Sequence, residues 1–356
     1  MIDVRKMLTD SAAKLMKDLC TKELVQAAEK GQWAEELWGT LKESGMIAVG
    51  VPEELGGSGG DAGDALSILR MAGKYSAPIP LAETYIGNGL MAEFDMPVTE
   101  EPLTMMPLFR EESESIRFER VSYGWTLTGQ ARWVPYARFA KKIIVFGKTE
   151  GGGTVFAAVN ANACTIQGGS NLAGEARDTV VLERVEVEDA AAAVIHSPEL
   201  LDRLWRKGAL TRAALMSGAL EQVLELTVQY AGERTQFGQP IGRFQAIQQQ
   251  IAMLSGEAAS AVVACEHAVY AFESDPFAPE VAVAKIRAGE AASAAAPIAH
   301  QVHGAIGFTD EHMVQLSTRR LWAWRDEYGT EAEWAEKLGS EFIRRGPETL
   351  WETISL

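Results

Sequence analysis

The residues best suited to chemistry lie at positions 233–248, Glu-Arg-Thr-Gln-Phe-Gly-Gln-Pro-Ile-Gly-Arg-Phe-Gln-Ala-Ile-Gln. Arg234 follows an Ala-rich helical stretch, and Gly238, Pro240 and Gly242 interrupt the chain before a second amphipathic run begins. A fixed guanidinium beside the exposed backbone N–H groups of a helix junction suits a phosphate or another anion. On spacing alone the plainer reading is a tight helix–helix connection with a solvated arginine.

Other chemistry-bearing patterns are weaker. Residues 56–60 match Gly-x-Ser-x-Gly formally, which in a hydrolase would present Ser58 as nucleophile. That motif needs a strand before it, a helix directly after it and triad partners downstream, so a plain loop is expected. None of His196, His267, His300, His303 and His312 has an acidic residue three positions before it, which disfavours a di-iron helical bundle. There is no P-loop and no Gly-x-Gly-x-x-Gly fingerprint. Residues 148–153 read as a hairpin turn.

These residues must be positioned by a chain of 356 residues, 47% hydrophobic and 23% charged, enough for a large core and more than one packing unit. A formal net charge of -16 argues against nucleic acid and against an anionic membrane surface as general partners. Cys20, Cys164 and Cys265 are scattered, without metal or disulfide spacing, which fits a reducing cytoplasm. No stretch has the length and apolarity of a membrane span or a secretory leader.

The periodicity changes twice. Residues 1–99 read as a helical domain, with Leu37, Trp38, Leu41 and Met46 on one apolar face and Gly45 ending the run. Residues 100–196 carry short runs rich in Val, Ile, Phe and Thr, starting at Ile116, Gly124, Lys142, Thr154 and Thr179, and read as a small antiparallel β domain. Residues 197–356 are helical again. Leu210, Ala214, Gly218 and Leu224 trace one face, and alanines at 258–264 and 288–296 let helices approach closely, as in a four-helix bundle. The fold class is α+β, in the order helices, sheet, helices.

This order and three stretches resemble the acyl-CoA dehydrogenase family across nearly the whole chain. The stretches are Gly45-Met-Ile-Ala-Val-Gly-Val-Pro-Glu-Glu-Leu-Gly-Gly57, Gly124-Trp-Thr-Leu-Thr-Gly-Gln-Ala-Arg-Trp-Val-Pro135, and the 233–248 junction together with Gln301-Val-His-Gly-Ala-Ile-Gly-Phe308. The resemblance implies FAD as cofactor and an acyl-CoA thioester as substrate, oxidised across Cα and Cβ. It further implies that Arg234, Gln236 and Phe237 contact the pyrophosphate and ADP part of FAD, with Gln301, Gly304 and Gly307 lining the same region. Family members extend these residues to the flavin of a neighbouring subunit. Trp133 is expected to stack on the flavin. Phe237 as core, Gln301 as a surface residue and His303 as a packing residue are the plainer alternatives.

Several parts of the family pattern are altered. Ala305 stands where a second glycine is usual, at a cost of about 1 kcal/mol if that position needs positive φ. The usual base segment corresponds to residues 326–330, Asp-Glu-Tyr-Gly-Thr, which puts Tyr328 at the base position and Glu327 one residue earlier. The family's alternative base position falls near Gly208 and Ala209, where no carboxylate stands. The loop that usually covers flavin and substrate is unmatched at residues 106–113, and Val134-Pro135 replaces an apolar residue and a hydroxyl.

The resemblance therefore points to the divergent subunit of a heteromeric α2β2 acyl-CoA dehydrogenase, similar to those of bacterial steroid and bile-acid side-chain degradation. Residues 77–83 are similar to that branch. A homologous subunit and an electron-transfer flavoprotein as re-oxidant are the implied partners. The alternatives are a self-sufficient homo-oligomer with a relocated base, Glu327 or Asp326, and an assembly subunit without FAD.

Overall fold

The computed structural model describes residues 4–108, 116–197 and 199–349. The chain divides into two compact units, Met1–Gly208 and Ala209–Leu356, and the boundary falls inside one long helix.

The first unit opens with five helices: α1 (Val4–Leu19), α2 (Lys22–Glu29), α3 (Glu35–Glu43), α4 (Ala62–Lys74) and α5 (Leu81–Glu93). Local chemistry sets their ends. Thr21 accepts a hydrogen bond from the Leu24 N–H at the start of α2, and Asp61 and Asp64 form a capping box on α4. Arg5 on α1 reaches both of those aspartates, at 2.7 Å and 3.1 Å, and so ties α1 to α4. Leu37, Trp38, Leu41 and Met46 are buried, and Gly45 leaves the helical run at a φ of +67°, as the spacing predicts. The glycine-rich stretch after it is a loop: the Ser58 N–H donates to the Ala48 carbonyl, Val51 bridges Gly59, and among the described residues no strand precedes the serine.

Helix α5 is buried almost all round, so its polar side chains are matched internally. Thr84 donates to the Leu103 carbonyl at 2.8 Å, and the Asn88 amide grips the backbone of Thr99 in both directions, at 2.8 Å and 3.0 Å.

The sheet comprises β1 (Leu103–Met105), β2 (Ile116–Val121), β3 (Gly124–Pro135), β4 (Lys142–Thr149), β5 (Thr154–Asn160), β6 (Thr165–Gln167), β7 (Arg177–Glu188) and β8 (Ala192–Ile195). Its order is β6-β7-β3-β2-β4-β5-β8, with β1 beside β4. Pairing is antiparallel except where β1 and β2 each run parallel to β4. Lys148 pairs with Thr154 across the expected β4–β5 hairpin. Alternate residues, among them Phe118, Leu127, Val145, Val155, Val180 and Leu182, fill one apolar core.

The second unit is built from the part of α6 (Glu199–Glu233) that follows Gly208, a two-stranded ribbon of β9 (Thr235–Gln236) and β10 (Gln239–Pro240), then α7 (Gln245–Ser274), α8 (Pro279–His303), α9 (Val314–Arg325) and α10 (Glu331–Arg345). Buried Ala258, Ala261, Cys265 and Ala268 of α7, with Ala284, Ala288, Ala291 and Ala295 of α8, allow these two helices to pack closely. The buried face of α6 continues from Leu210, Ala214 and Gly218 through Leu220, Val223 and Thr227; Leu224, expected on that face, is only half-buried. Among the described residues no helix is long and apolar enough to cross a membrane.

Candidate functional site

The Arg234 junction is a miniature β-hairpin. Thr235 pairs with Pro240 and Gln236 with Gln239, and the two residues between them, Phe237 and Gly238, have φ of +51° and +82°. Positive φ at both central residues is the signature of a type I′ turn, which matches strand twist but favours glycine or asparagine. Phenylalanine there carries backbone strain on the order of 1 kcal/mol. Its ring gains little in return, being 92% exposed and touching Phe244 edge-on. The reading of Phe237 as core is therefore overturned: the turn projects it outward.

Beneath the hairpin, Ala231, Ile241 and Val302 form a small core with Tyr230, Phe244, Ile247, Ile251 and Ile298 packed against it. This core seats the hairpin on the last turns of α8, so the structure brings the 233–248 junction and the 301–308 stretch together. Glu233 is held by Gln229 rather than by Arg234. The side chains of Arg234, Gln236 and Gln301 are exposed and make no side-chain hydrogen bond or ion pair among the described residues.

The turn after α8 explains its glycines. Gly304 caps the helix at a φ of +65°, and a Cβ there would meet open space, so it leaves room beside the backbone. At Gly307 a Cβ would lie 2.9 Å from the His303 Cβ, so only glycine fits the close approach. Ala305 is absent from the residues with positive φ, and the anticipated cost of an alanine there does not arise.

His303 stacks on Tyr230 at 4.6 Å, lies 4.4 Å from His312, and shares a 2.7 Å hydrogen bond between its Nδ1 and the Ala299 carbonyl. Burial pushes the His303 and His300 imidazoles below the ordinary histidine range. The reading of His303 as a packing residue agrees with this setting. No group of three or more His, Cys, Asp or Glu placed to hold a metal occurs among the described residues.

The segment corresponding to the base is arranged differently. Glu327 Oε2 accepts from Arg212 Nε of α6 at 2.5 Å, and the arginine side chain is only 2% exposed. The guanidinium also lies 5.3 Å from the Tyr328 ring centre. Tyr328 and Gly329 both take positive φ, +56° and +97°. Two buried donors fix the turn: Lys285 Nζ donates to the Arg325 and Gly329 carbonyls, at 2.5 Å and 2.7 Å, and Trp334 Nε1 donates to the Tyr328 carbonyl at 2.9 Å. Burial pushes the Lys285 ammonium down to about 8, against the pull of Glu331, Glu327 and Asp326. One oxygen of the Glu327 carboxylate is thereby committed to the guanidinium.

Sequence reasoning missed Arg212 and Lys285. The available signal was a charge inside an apolar helical face, at Leu210-Thr-Arg-Ala-Ala-Leu215 and at Ala282-Val-Ala-Lys-Ile286.

Trp133 belongs to the first unit. It stands at an irregularity of the β3–β7 pairing, with a φ of +59° and 56% exposure. Its strand end is framed by polar groups. The buried Asp178 carboxylate accepts from the Arg138 N–H and Nε, both at 2.9 Å, and from the Gly169 N–H at 3.2 Å. Buried Glu175 and Arg177 pair at 3.1 Å. Pro135, which lacks an N–H, still serves this frame as acceptor for the Thr104 hydroxyl at 2.5 Å. Part of the unmatched loop at residues 106–113 lies outside the described residues.

The comparisons decide the family. The family model for the acyl-CoA dehydrogenase N-terminal domain matches residues 3–95, and that for the acyl-CoA dehydrogenase C-terminal domain matches residues 205–331. The chain belongs to the acyl-CoA dehydrogenase family.

This acyl-CoA dehydrogenase homologue is 29% identical over 355 residues to acyl-CoA dehydrogenase IpdE2 of Mycobacterium tuberculosis, covering 98% of each chain. Its fold is similar to that in the ChsE4-ChsE5 complex from Mycobacterium tuberculosis, with a TM-score of 0.87 at 23% identity over 98% of this chain and 99% of that one. It is likewise similar to a variant of the Tcur3481-Tcur3483 steroid ACAD, with a TM-score of 0.85 at 23% identity, covering 96% and 98%.

Proposed function

We propose that this chain is one subunit of a heteromeric acyl-CoA dehydrogenase that introduces a Cα=Cβ double bond into an acyl-CoA thioester, with steroid-derived thioesters as the favoured class. A single contrast carries the reading. The carboxylate nearest the base position, Glu327, is neutralised by Arg212, whereas the cation at the hairpin, Arg234, has no side-chain partner among the described residues. The chain thus offers contacts to an anion while withholding its own base.

The residues present suit FAD. Arg234 offers a charge for the pyrophosphate, Gln236 and Gln301 offer uncommitted amides, Phe237 offers an aromatic face, and Gly304 and Gly307 keep the adjoining turn narrow. Trp133 offers a second exposed aromatic face in the first unit. FAD, when bound, accepts the hydride from Cβ. The exposed hairpin suits contact with a flavin held mainly by a homologous partner subunit. The ChsE4-ChsE5 and Tcur3481-Tcur3483 structures support that assembly; the same reading takes an electron-transfer flavoprotein as re-oxidant and the cytoplasm as location.

The test is to purify the chain alone and together with a homologous subunit, count FAD per chain, and follow flavin bleaching by acyl-CoA. Flavin and turnover are expected only in the mixed complex. A chain that is yellow and turns over alone would refute the subunit reading. A mixed complex without flavin would make the chain an assembly subunit.

A further inference from the structure

Three aromatic rings from three separate stretches of the second unit meet beside the small core of the hairpin. Tyr230 lies on the last turns of α6, His303 ends α8, and His312 stands just before α9. His303 stacks on Tyr230 with ring centres 4.6 Å apart and 26° between planes, and His312 lies 4.4 Å from His303 and 5.8 Å from Tyr230. Each ring is tied to backbone that shapes the candidate site. The Tyr230 carbonyl accepts from the Arg234 N–H at 2.8 Å, and the Arg234 carbonyl accepts from the Ile241 N–H at 2.8 Å across the base of the hairpin. His303 directly precedes Gly304, and its Cβ is the atom that a side chain at Gly307 would strike. His312 Nδ1 accepts from the Val314 N–H at 3.1 Å, where α9 begins.

The stack suits an uncharged imidazole. A carbonyl can only accept, so His303 Nδ1 keeps its proton to bond the Ala299 carbonyl, and in the neutral ring Nε2 is bare. That Nε2 is buried and has no hydrogen bond among the described residues. A second proton would place a charge in the stack, with burial opposing it and only the Ala299 and Leu226 carbonyls favouring it. The groups that face the ring are Tyr230 and the Leu226 carbonyl from α6, the Ala299 carbonyl and His300 from α8, Gly307 from the turn, and His312 from the start of α9. None of them is an acid. Asp310 and Glu311, just before His312 in the chain, are exposed.

We propose that His303 is a positioning residue for the candidate flavin site, its neutral ring setting the Gly304 turn against the Arg234 hairpin so that one cofactor meets both. This rests on the flavin reading above. His303 acts through the Tyr230 ring and through the backbone of Gly304, and no bond to it is made or broken. Acid undoes the arrangement. The packed ring resists protonation, whereas the ring of a released turn titrates near the ordinary 6.5, so the packed form holds its full stability above that value and loses it as the pH falls below.

The experiment titrates FAD into the depleted mixed complex at about pH 7.5 and about pH 5.5, with circular dichroism confirming the fold at both. The apparent Kd should rise severalfold on acidification, up to roughly tenfold, the ceiling that linkage sets for one histidine over that span. His303→Phe keeps a flat ring on Tyr230 and His312 without a titrating group. It should bind FAD within about threefold of the parent near neutrality and lose most of the acid effect. His303→Ala removes the ring and should weaken FAD severalfold at both values, with its melting curve checking the fold. An acid effect that survives in His303→Phe, or parent-like binding by His303→Ala, overturns the role of His303 and leaves the flavin reading standing. Absence of FAD binding at either pH overturns the flavin reading, and amide exchange of residues 304–309 then judges His303 by itself. Corrected for its intrinsic pH dependence, that exchange should rise on acidification in the parent and not in His303→Phe; equal behaviour of the two overturns the proposal.

Discussion

Glu327 and Arg212, 115 residues apart in sequence, meet at 2.5 Å, with the arginine enclosed by the helical unit and the glutamate at its edge. Enclosing the guanidinium makes the pair unequal: without the carboxylate, the arginine is left charged in a poorly solvated place. Glu327→Ala should therefore lower stability by about 2–3 kcal/mol in chemical denaturation. Turnover of the mixed complex should change less than about threefold, because the carboxylate serves the fold. A fall of several orders of magnitude would identify Glu327 as a base.

Arg234→Ala tests the opposite case. The side chain is exposed and makes no internal side-chain bond, so the melting temperature should be nearly unchanged. FAD retention in the complex should weaken by roughly 1.5–3 kcal/mol, the scale of a charge-assisted hydrogen bond. Flavin content after dialysis checks this, and an unaltered content would remove Arg234 from the site.

Phe237→Gly should separate stability from function in the other direction. Glycine accepts positive φ without strain, so the variant should be as stable as the parent or up to about 1 kcal/mol more stable. Loss of the exposed ring should at the same time reduce flavin retention or subunit association. Melting curves and gel filtration of the mixed complex read the two effects separately.

Lys285 predicts a stability trend with pH. Its ammonium sits near 8 in the folded chain and near 10.5 when unfolded. Between those values the unfolded chain binds more protons, so stability rises with pH across that window; below about 8 the cost of burying the charge is fully present. The rise attributable to this group is up to about 3 kcal/mol. In Lys285→Met the rise should disappear, while the Arg325 and Gly329 carbonyls lose their donor and overall stability falls. Denaturant melts of both proteins across the window provide the check.

What the sequence discloses follows the range of the interactions involved. The alternation in Thr154–Asn160 and the capping pair of Asp61 and Asp64 are local, and both read through to the structure. The hairpin at Arg234 was visible as a break between helices, but the outward aim of Phe237 depends on two consecutive positive φ values that composition does not encode. The Ala305 position looked costly only while its backbone conformation was unknown. Arg212 and Lys285 were illegible for a different reason. Each resembles an ordinary helical cation until the chain returns, through residues 325–329, to meet it.

The polar frame beside Trp133 has a consequence for timing. Val134 pairs with Asp178 and Pro135 with Arg177, and these residues are bonded within the protein itself. The backbone that carries the indole is therefore set when the sheet folds, and a flat ring arriving later has little ordering of that backbone left to impose. Cofactor loss should then leave the sheet intact and ready for refilling, so that depleted protein regains flavin at a rate set by encounter and not by refolding.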